Sequence, residues 1–275
     1  MSAKSIGRLF LPLRLDHPGL RLLNMEPPVF TVTDFVPQAV CQKLMAAATA
    51  SGRMQRSGLG GDANSGGPAA AAEQARTSST LVLDRAALDA FPELQAALDA
   101  ILLAASRLLD LQALGQDSTS LQRALFTKPT REGQLVPEIP QVAHYQPGQH
   151  FKAHQDAFPA AEAIRKGYQR RATLLLYLND VAAGGATRFD HVQLEVQPRQ
   201  GTALLFFPAF AGGTPDARTL HTAVDAVDEK WVFQLWLTSG LPPPPTQAKG
   251  EKAAVPVWVS GRNQGQAAKP KKKRK

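Results

Sequence analysis

Six histidines, at positions 17, 144, 150, 154, 191 and 221, are the residues of widest chemical reach in this chain. His154 and Asp156 form a His-x-Asp pair. On a strand, side chains two residues apart point to one face, so both can reach a single ion. His221 stands far along the chain, inside another strand-like segment. Two imidazoles and one carboxylate make a facial ligand set that suits a ferrous ion and leaves the opposite face open to further ligands. Zinc takes the same ligand types, usually in tetrahedral sites. A competing pair also exists. His150 and His154 would share one face of a helix, although the β-rich texture of QHFKAHQD speaks against a helix there. Asp190-His191 offers donors too, but in no such pattern. A lone His-x-Asp arises often by chance, so its surroundings decide its weight.

Those surroundings are strand-like. From residue 141 onward QVAHYQ, HFKAHQD, ATLLLYLND, ATRFD, VQLEVQP, GTALLFFP, TLHTAVD and KWVFQLWLT follow one another, separated by turn residues. Repeated short strands after a helical stretch predict an α+β chain with a mainly β core, a sandwich or barrel with helices packed outside. Upstream, residues 27–36 read as a strand. Pro37 opens a helical run that ends at Gly52, the usual asymmetry of proline at the start and glycine at the end. Residues 57–75 are rich in Gly and Ala and read as a mobile loop. Residues 76–84 read as a strand. Residues 86–113 carry apolar side chains at spacings of three and four, an amphipathic helix with a break near Phe91-Pro92. Residues 1–24 show no clean periodicity. Beyond Ser239 come a Pro-rich linker, an apolar stretch at 254–261 that could add one strand, and a polar, basic end.

Composition narrows the function classes. Hydrophobic residues make up 44 % and charged residues 20 % of the 275, an ordinary globular balance. No apolar run is long enough for a membrane-spanning helix. The N-terminus has no secretory pattern, and the single cysteine, Cys41, allows no intrachain disulfide. These features predict a nuclear or cytosolic protein that is not secreted. The net charge is +8, from 31 Lys+Arg against 23 Asp+Glu, but the closing KPKKKRK carries much of it. The body is near neutral, which argues against a nucleic-acid-binding face outside the tail.

The full series around the His-x-Asp pair is more specific than the pair itself. It runs Tyr145-x-x-Gly148-x-x-Phe151-x-x-His154-x-Asp156, then Arg171-x-Thr173 and Tyr177-Leu178-Asn179. Gly184-Gly185-x-Thr187-x-Phe189 and Pro198-x-x-Gly201 follow, and His221 and Lys230-Trp231 close it. Over residues 27–238 the chain resembles the prolyl 4-hydroxylase family of Fe(II)- and 2-oxoglutarate-dependent dioxygenases.

The resemblance implies a double-stranded β-helix, a jelly-roll core with flanking N-terminal helices, over residues 27–239. Residues 1–26 form an N-terminal segment, 240–268 a Pro-rich and disordered region, and 269–275 a basic tail. By the same resemblance His154, Asp156 and His221 bind Fe(II), and Lys230 pairs with the far carboxylate of 2-oxoglutarate. Tyr145 and Thr187 hydrogen-bond this cosubstrate and Trp236 lines its pocket; each is equally compatible with a core role. Arg171 corresponds to a basic residue on the substrate side, with a surface arginine as the alternative. The implied reaction consumes O2 and 2-oxoglutarate, releases succinate and CO2, and hydroxylates prolyl residues of a protein or peptide, with ascorbate as reductant. The loop at 57–75 corresponds to one that closes over substrate. There are departures. The step from His221 to Lys230 is one residue shorter than in collagen-type members, and oxygen-sensing members with this spacing carry arginine there. Thr238 stands where several members carry a basic residue.

The tail resembles a nuclear import signal, which makes importin a partner; a solubilising tail, an RNA-binding arm or a tag are the alternatives. Two other functions compete: a dioxygenase of the same core acting on nucleic acid, and a non-catalytic module that binds Pro-rich peptides. The near-neutral body speaks against the first, and the intact His154, Asp156, His221 and Lys230 against the second.

Overall fold

The structure, a computed structural model, describes residues 3–57 and 75–242. The Gly-rich stretch between its end residues, the Pro-rich linker, the apolar stretch at 254–261 and the basic tail lie outside the described residues. The chain opens with α1 (Ala3–Leu9), β1 (Leu20–Met25), β2 (Pro28–Val32), α2 (Gln38–Ala50), β3 (Gln55–Arg56) and β4 (Ser79–Val82). Three further helices follow, α3 (Arg85–Ala90), α4 (Pro92–Leu108) and α5 (Ser120–Ala124). Next come β5 (Leu135–Pro137), β6 (Gln141–Tyr145), β7 (Phe151–His154), α6 (Ala160–Lys166) and β8 (Tyr168–Tyr177). β9 (Thr187–Phe189), β10 (Leu194–Val196), β11 (Ala203–Phe206), β12 (His221–Ala223) and β13 (Lys230–Gly240) complete it.

The strands form two antiparallel sheets. The larger has nine strands in the order β1-β2-β11-β8-β13-β6-β4-β3, with β5 added to β13; the smaller runs β10-β9-β12-β7. This is the layout of a jelly-roll core. The central strands are buried on both faces, and their side chains divide by the strand period of two. Leu174 and Leu176 of β8, Leu205 of β11 and Phe233 and Leu235 of β13 join the helices in one apolar cluster. Leu175 and Tyr177, Leu204 and Phe206, and Val232 face the other way, toward Phe189 and Val196 of the small sheet.

The helices follow their sequence signals. α2 starts after Pro37 and ends before Gly52, which takes φ +61°. The predicted break at Phe91-Pro92 separates α3 from α4. α4 buries Leu94, Ala97, Leu98, Ile101, Leu102, Ala105 and Leu108, one stripe at helical spacing. Asp84 caps α3, its carboxylate accepting from Ala87 N at 2.7 Å. The first 24 residues do more than their sequence suggests. β1 pairs with β2, and Ile6, Phe10, Leu11 and Leu13 are buried in the helix-side core. No described helix is long and apolar enough to cross a membrane.

Candidate metal and cosubstrate site

His154 closes β7 and His221 opens β12, and the antiparallel pairing sets them directly opposite each other. Asp156 lies just past β7. Its Oδ1 is 3.8 Å from His154 Nε2 and its Oδ2 3.8 Å from His221 Nε2. One ligand atom from each of the three lies within 4.8 Å of the others, and among the described residues this is the one such His, Cys, Asp or Glu group. The competing His150–His154 pair falls away, because residues 151–154 are strand and His150 Nδ1 sits 3.1 Å from Asp225 Oδ1.

The hydrogen bonds fix the ring chemistry. His154 Nδ1 is 2.8 Å from Lys152 O, and His221 Nδ1 is 3.0 Å from Thr219 O. A carbonyl only accepts, so each Nδ1 carries a proton, and each Nε2 is the nitrogen turned toward the Asp156 carboxylate. This is the arrangement in which a histidine binds a metal through one nitrogen while the other is held by the protein. Thr173 on β8 donates from Oγ1 to Asp156 Oδ2 at 2.6 Å. Burial opposes ionisation of Asp156, but His221, His154 and Arg170 outweigh it and hold the carboxyl below its usual range. Burial, with His221 beside it, pushes the His154 imidazole down to about 3. A carboxylate beside a neutral imidazole is the protonation state a divalent cation needs, so the residues present fit Fe(II).

Lys230 opens β13, fully buried, opposite Tyr145 of β6. Its Nζ donates to Gly185 O at 2.5 Å and lies 5.3 Å from the Tyr145 ring centroid and 6.0 Å from that of Tyr177. No carboxylate pairs with it among the described residues. Burial alone pushes its amine down to about 7. Gly185 takes φ +64°, and a Cβ there would come within 3.2 Å of the Lys230 stem, so glycine is what lets the chain pass beside the amine. Tyr177, a residue the sequence did not single out as functional, donates from its hydroxyl to Thr187 Oγ1 at 2.9 Å. Tyr145, Thr187 and Lys230 line one cavity with His154 and His221. Phe151 and Gln234 line it too, and nothing in their sequence context distinguished them from core residues.

Two sequence-predicted residues are placed differently. Arg171 does not join the group. It donates from Nη1 to Ala211 O at 2.8 Å and from Nη2 to Phe10 O, on the helix side of the large sheet. The cause is a bulge. β8 pairs Ala172 with Leu237 and Arg170 with Thr238, leaving Arg171 as the extra residue and reversing the alternation there. Arg170 takes the site side instead. It donates to both Glu138 carboxylate oxygens, at 2.9 and 2.6 Å, and to Asp156 O at 3.2 Å. Its guanidinium carbon lies 4.3 Å from the Trp236 ring centroid. Burial works against its charge, but the hydrogen bonds it donates to the Glu138 carboxylate hold its pKa above the usual arginine value. Trp236 shares the Lys230 face of β13 but stands beyond the cavity, beneath Arg170, with its buried Nε1 unpartnered among the described residues.

Comparison with known proteins agrees with this geometry. Residues 140–238 match the 2OG-Fe(II) oxygenase superfamily, a stretch that holds all three clustered ligands and Lys230. The chain is 28 % identical over 242 residues to "Probable prolyl 4-hydroxylase 6" of Arabidopsis thaliana, covering 81 % of this chain and 73 % of that one. It is 40 % identical over 103 residues to human "Prolyl 4-hydroxylase subunit alpha-1", covering 35 % of this chain and 19 % of the subunit. It spans less than half the length of other Arabidopsis thaliana prolyl 4-hydroxylases it matches, at 41 %, 39 % and 44 %. In fold it is similar to the viral collagen prolyl hydroxylase of Paramecium Bursaria Chlorella virus-1 in its 2OG complex, with TM-score 0.53, 21 % identity, and coverage of 77 % of this chain and 96 % of that one. The clustered ligands, the matched stretch and these relatives agree on one conclusion: residues 140–238 carry a 2OG-Fe(II) oxygenase domain, and the chain is similar to prolyl 4-hydroxylases.

Proposed function

We propose that this protein hydroxylates prolyl residues in a protein or peptide, using 2-oxoglutarate and O2 and releasing succinate and CO2, on a double-stranded β-helix with flanking N-terminal helices. The observation that carries the reading is one cavity lined by His154 and His221 together with a buried amine, Lys230, that has no carboxylate partner among the described residues.

His154, Asp156 and His221 would hold Fe(II), which supplies the oxidising chemistry with O2 when bound. The protein's share is positioning. Thr173 fixes the Asp156 carboxylate, and Lys152 O and Thr219 O fix the two rings. The Lys230 ammonium would take the distal carboxylate of 2-oxoglutarate, a charge-assisted bond made stronger by burial. Tyr145 and Thr187 form the walls beside it. The apolar cluster of Phe189, Phe206, Leu175 and Val232 keeps water from the inner side. Arg170, locked to Glu138 and stacked on Trp236, forms the rim next to Asp156 and is the residue we assign to substrate contact in place of Arg171. Ascorbate as reductant, importin recognition of the basic tail and residence in the nucleus or cytosol rest on the sequence reading alone and belong to the same proposal.

The test is succinate formation from 2-oxoglutarate with Fe(II), run with proline-containing peptides and with oligonucleotides, with mass spectrometry of the peptide. A gain of one oxygen on proline is the expected result. Turnover coupled only to oligonucleotide would overturn the substrate, and neither turnover nor iron binding would overturn the enzyme.

A further inference from the structure

Gln234 lies on the same face of β13 as Lys230 and Val232 and lines the same cavity. Its Oε1 accepts from Arg76 Nη2 at 3.1 Å. Arg76 is only 4 % exposed and forms no ion pair among the described residues. Its Nε donates to Ser78 Oγ at 3.1 Å and its Nη2 also to Thr80 Oγ1 at 3.1 Å. Its guanidinium carbon is 5.0 Å from the Phe151 ring centroid, and Phe151 in turn stacks on His154. A guanidinium has donors and no acceptor, so Gln234 must give it the amide oxygen. The amide NH2 is then held on the other side, and it has no partner among the described residues. A buried cation surrounded by neutral acceptors is a costly arrangement to keep. Here it locks one donor-bearing side chain in the wall of the cosubstrate cavity.

The pairing along β13 says which end of the cavity this donor serves. Lys230 lies opposite Tyr145 of β6. Gln234 lies opposite Leu175 of β8, and Trp236 opposite Thr173, the residue bonded to Asp156. Gln234 thus stands between the ammonium and the strand level that carries the metal-side carboxylate. We propose that Gln234 donates a hydrogen bond to the metal-end carboxylate of 2-oxoglutarate and that Arg76 is the positioning residue that orients it. The inference rests on the function proposed above, because it takes the cavity to hold that dicarboxylate.

The measurement is calorimetric binding of 2-oxoglutarate to the full chain loaded with Mn(II) in place of iron, with thermal unfolding recorded for every variant. Gln234→Met keeps the length and removes the donor, and binding is expected to weaken about tenfold, the loss of one such bond. Arg76→Met is expected to weaken it by a similar factor and Arg76→Lys to restore part of it. The double variant is expected to bind within about twofold of the weaker single one, because both changes remove the same bond. Gln234→Met binding as tightly as the unmodified chain overturns the inference alone, provided Lys230→Met still loses affinity. Unaltered binding by Lys230→Met, or no binding by the unmodified chain, overturns the cosubstrate reading itself and this inference with it. Should Arg76→Met fail to fold, Gln234→Met decides, since it leaves no buried charge without partners.

Discussion

His154 and His221 are a register pair: they face each other across β7 and β12 with ring centroids 4.2 Å apart, and each is pinned through Nδ1 by a backbone carbonyl two residues earlier. The ligand set is therefore built into a strand ladder rather than onto loops, which holds both imidazoles before any ion arrives. Only Asp156 stands outside the ladder, and Thr173 of the other sheet steadies it.

The first prediction concerns the ligands. His154→Ala removes one donor from a partly buried position without touching the main core, so far-UV circular dichroism and thermal unfolding should change little. Fe(II) affinity should fall by more than about 100-fold, and iron-dependent succinate formation should vanish. Full activity in this variant would refute the ligand assignment.

Thr173→Val tests the support behind the ligands. It keeps the β-branched shape on β8 but takes away the hydrogen bond to Asp156 Oδ2. Metal affinity, read by competition with a chelating dye, should drop about 10- to 100-fold. An unchanged affinity would mean that Asp156 is positioned by packing alone.

Lys230 links pH to stability and to cosubstrate binding. Its folded-state pKa, pushed by burial to about 7, lies below the ordinary 10.5. Between those values the unfolded chain holds a proton that the folded chain does not, so stability rises with pH through that window, and the cost of the buried charge is fully present below about pH 7. Lys230→Met should abolish this slope, as measured by denaturant unfolding of metal-free protein from pH 6 to 10. Binding of 2-oxoglutarate should reverse the preference and take up a proton near pH 8, visible as a buffer-dependent calorimetric enthalpy. Equal slopes in the two proteins would contradict this account.

Adjacent arginines should behave oppositely. Arg171→Met leaves Phe10 O and Ala211 O without their donor and should destabilise the fold by about 1–3 kcal/mol while leaving the KM for peptide unchanged. Arg170→Met should raise that KM with a smaller effect on thermal stability. The reverse pattern would show that the bulge in β8 does not decide which arginine faces the substrate.

Much of the site was legible in the order of residues. The His-x-Asp pair and the later histidine are local signals, and the run of short strands announced a sandwich or barrel; the jelly roll and the lysine before a tryptophan came from the family resemblance. The proline and glycine marks around α2 and the break at Phe91-Pro92 were equally local, because capping and φ restriction act within a few residues. The first 24 residues were not legible. β1 and α1 gain their stability from β2 and from the helix-side core, and an edge strand without alternation carries no periodic signal of its own.

What the sequence by itself determined is the chemistry available: which side chains could hold a ferrous ion and, through the family resemblance, which lysine to expect beside a dicarboxylate and which fold to expect around them. Only the tertiary structure decided which arginine faces the site, because one inserted residue in β8 reverses the alternation on which any reading by parity depends. It likewise decided that Gln234 and Arg76, separated by 158 positions in the chain, act on one another. A hydrogen bond between strands so distant leaves no trace in local pattern, since it depends on where β13 and the segment before β4 meet.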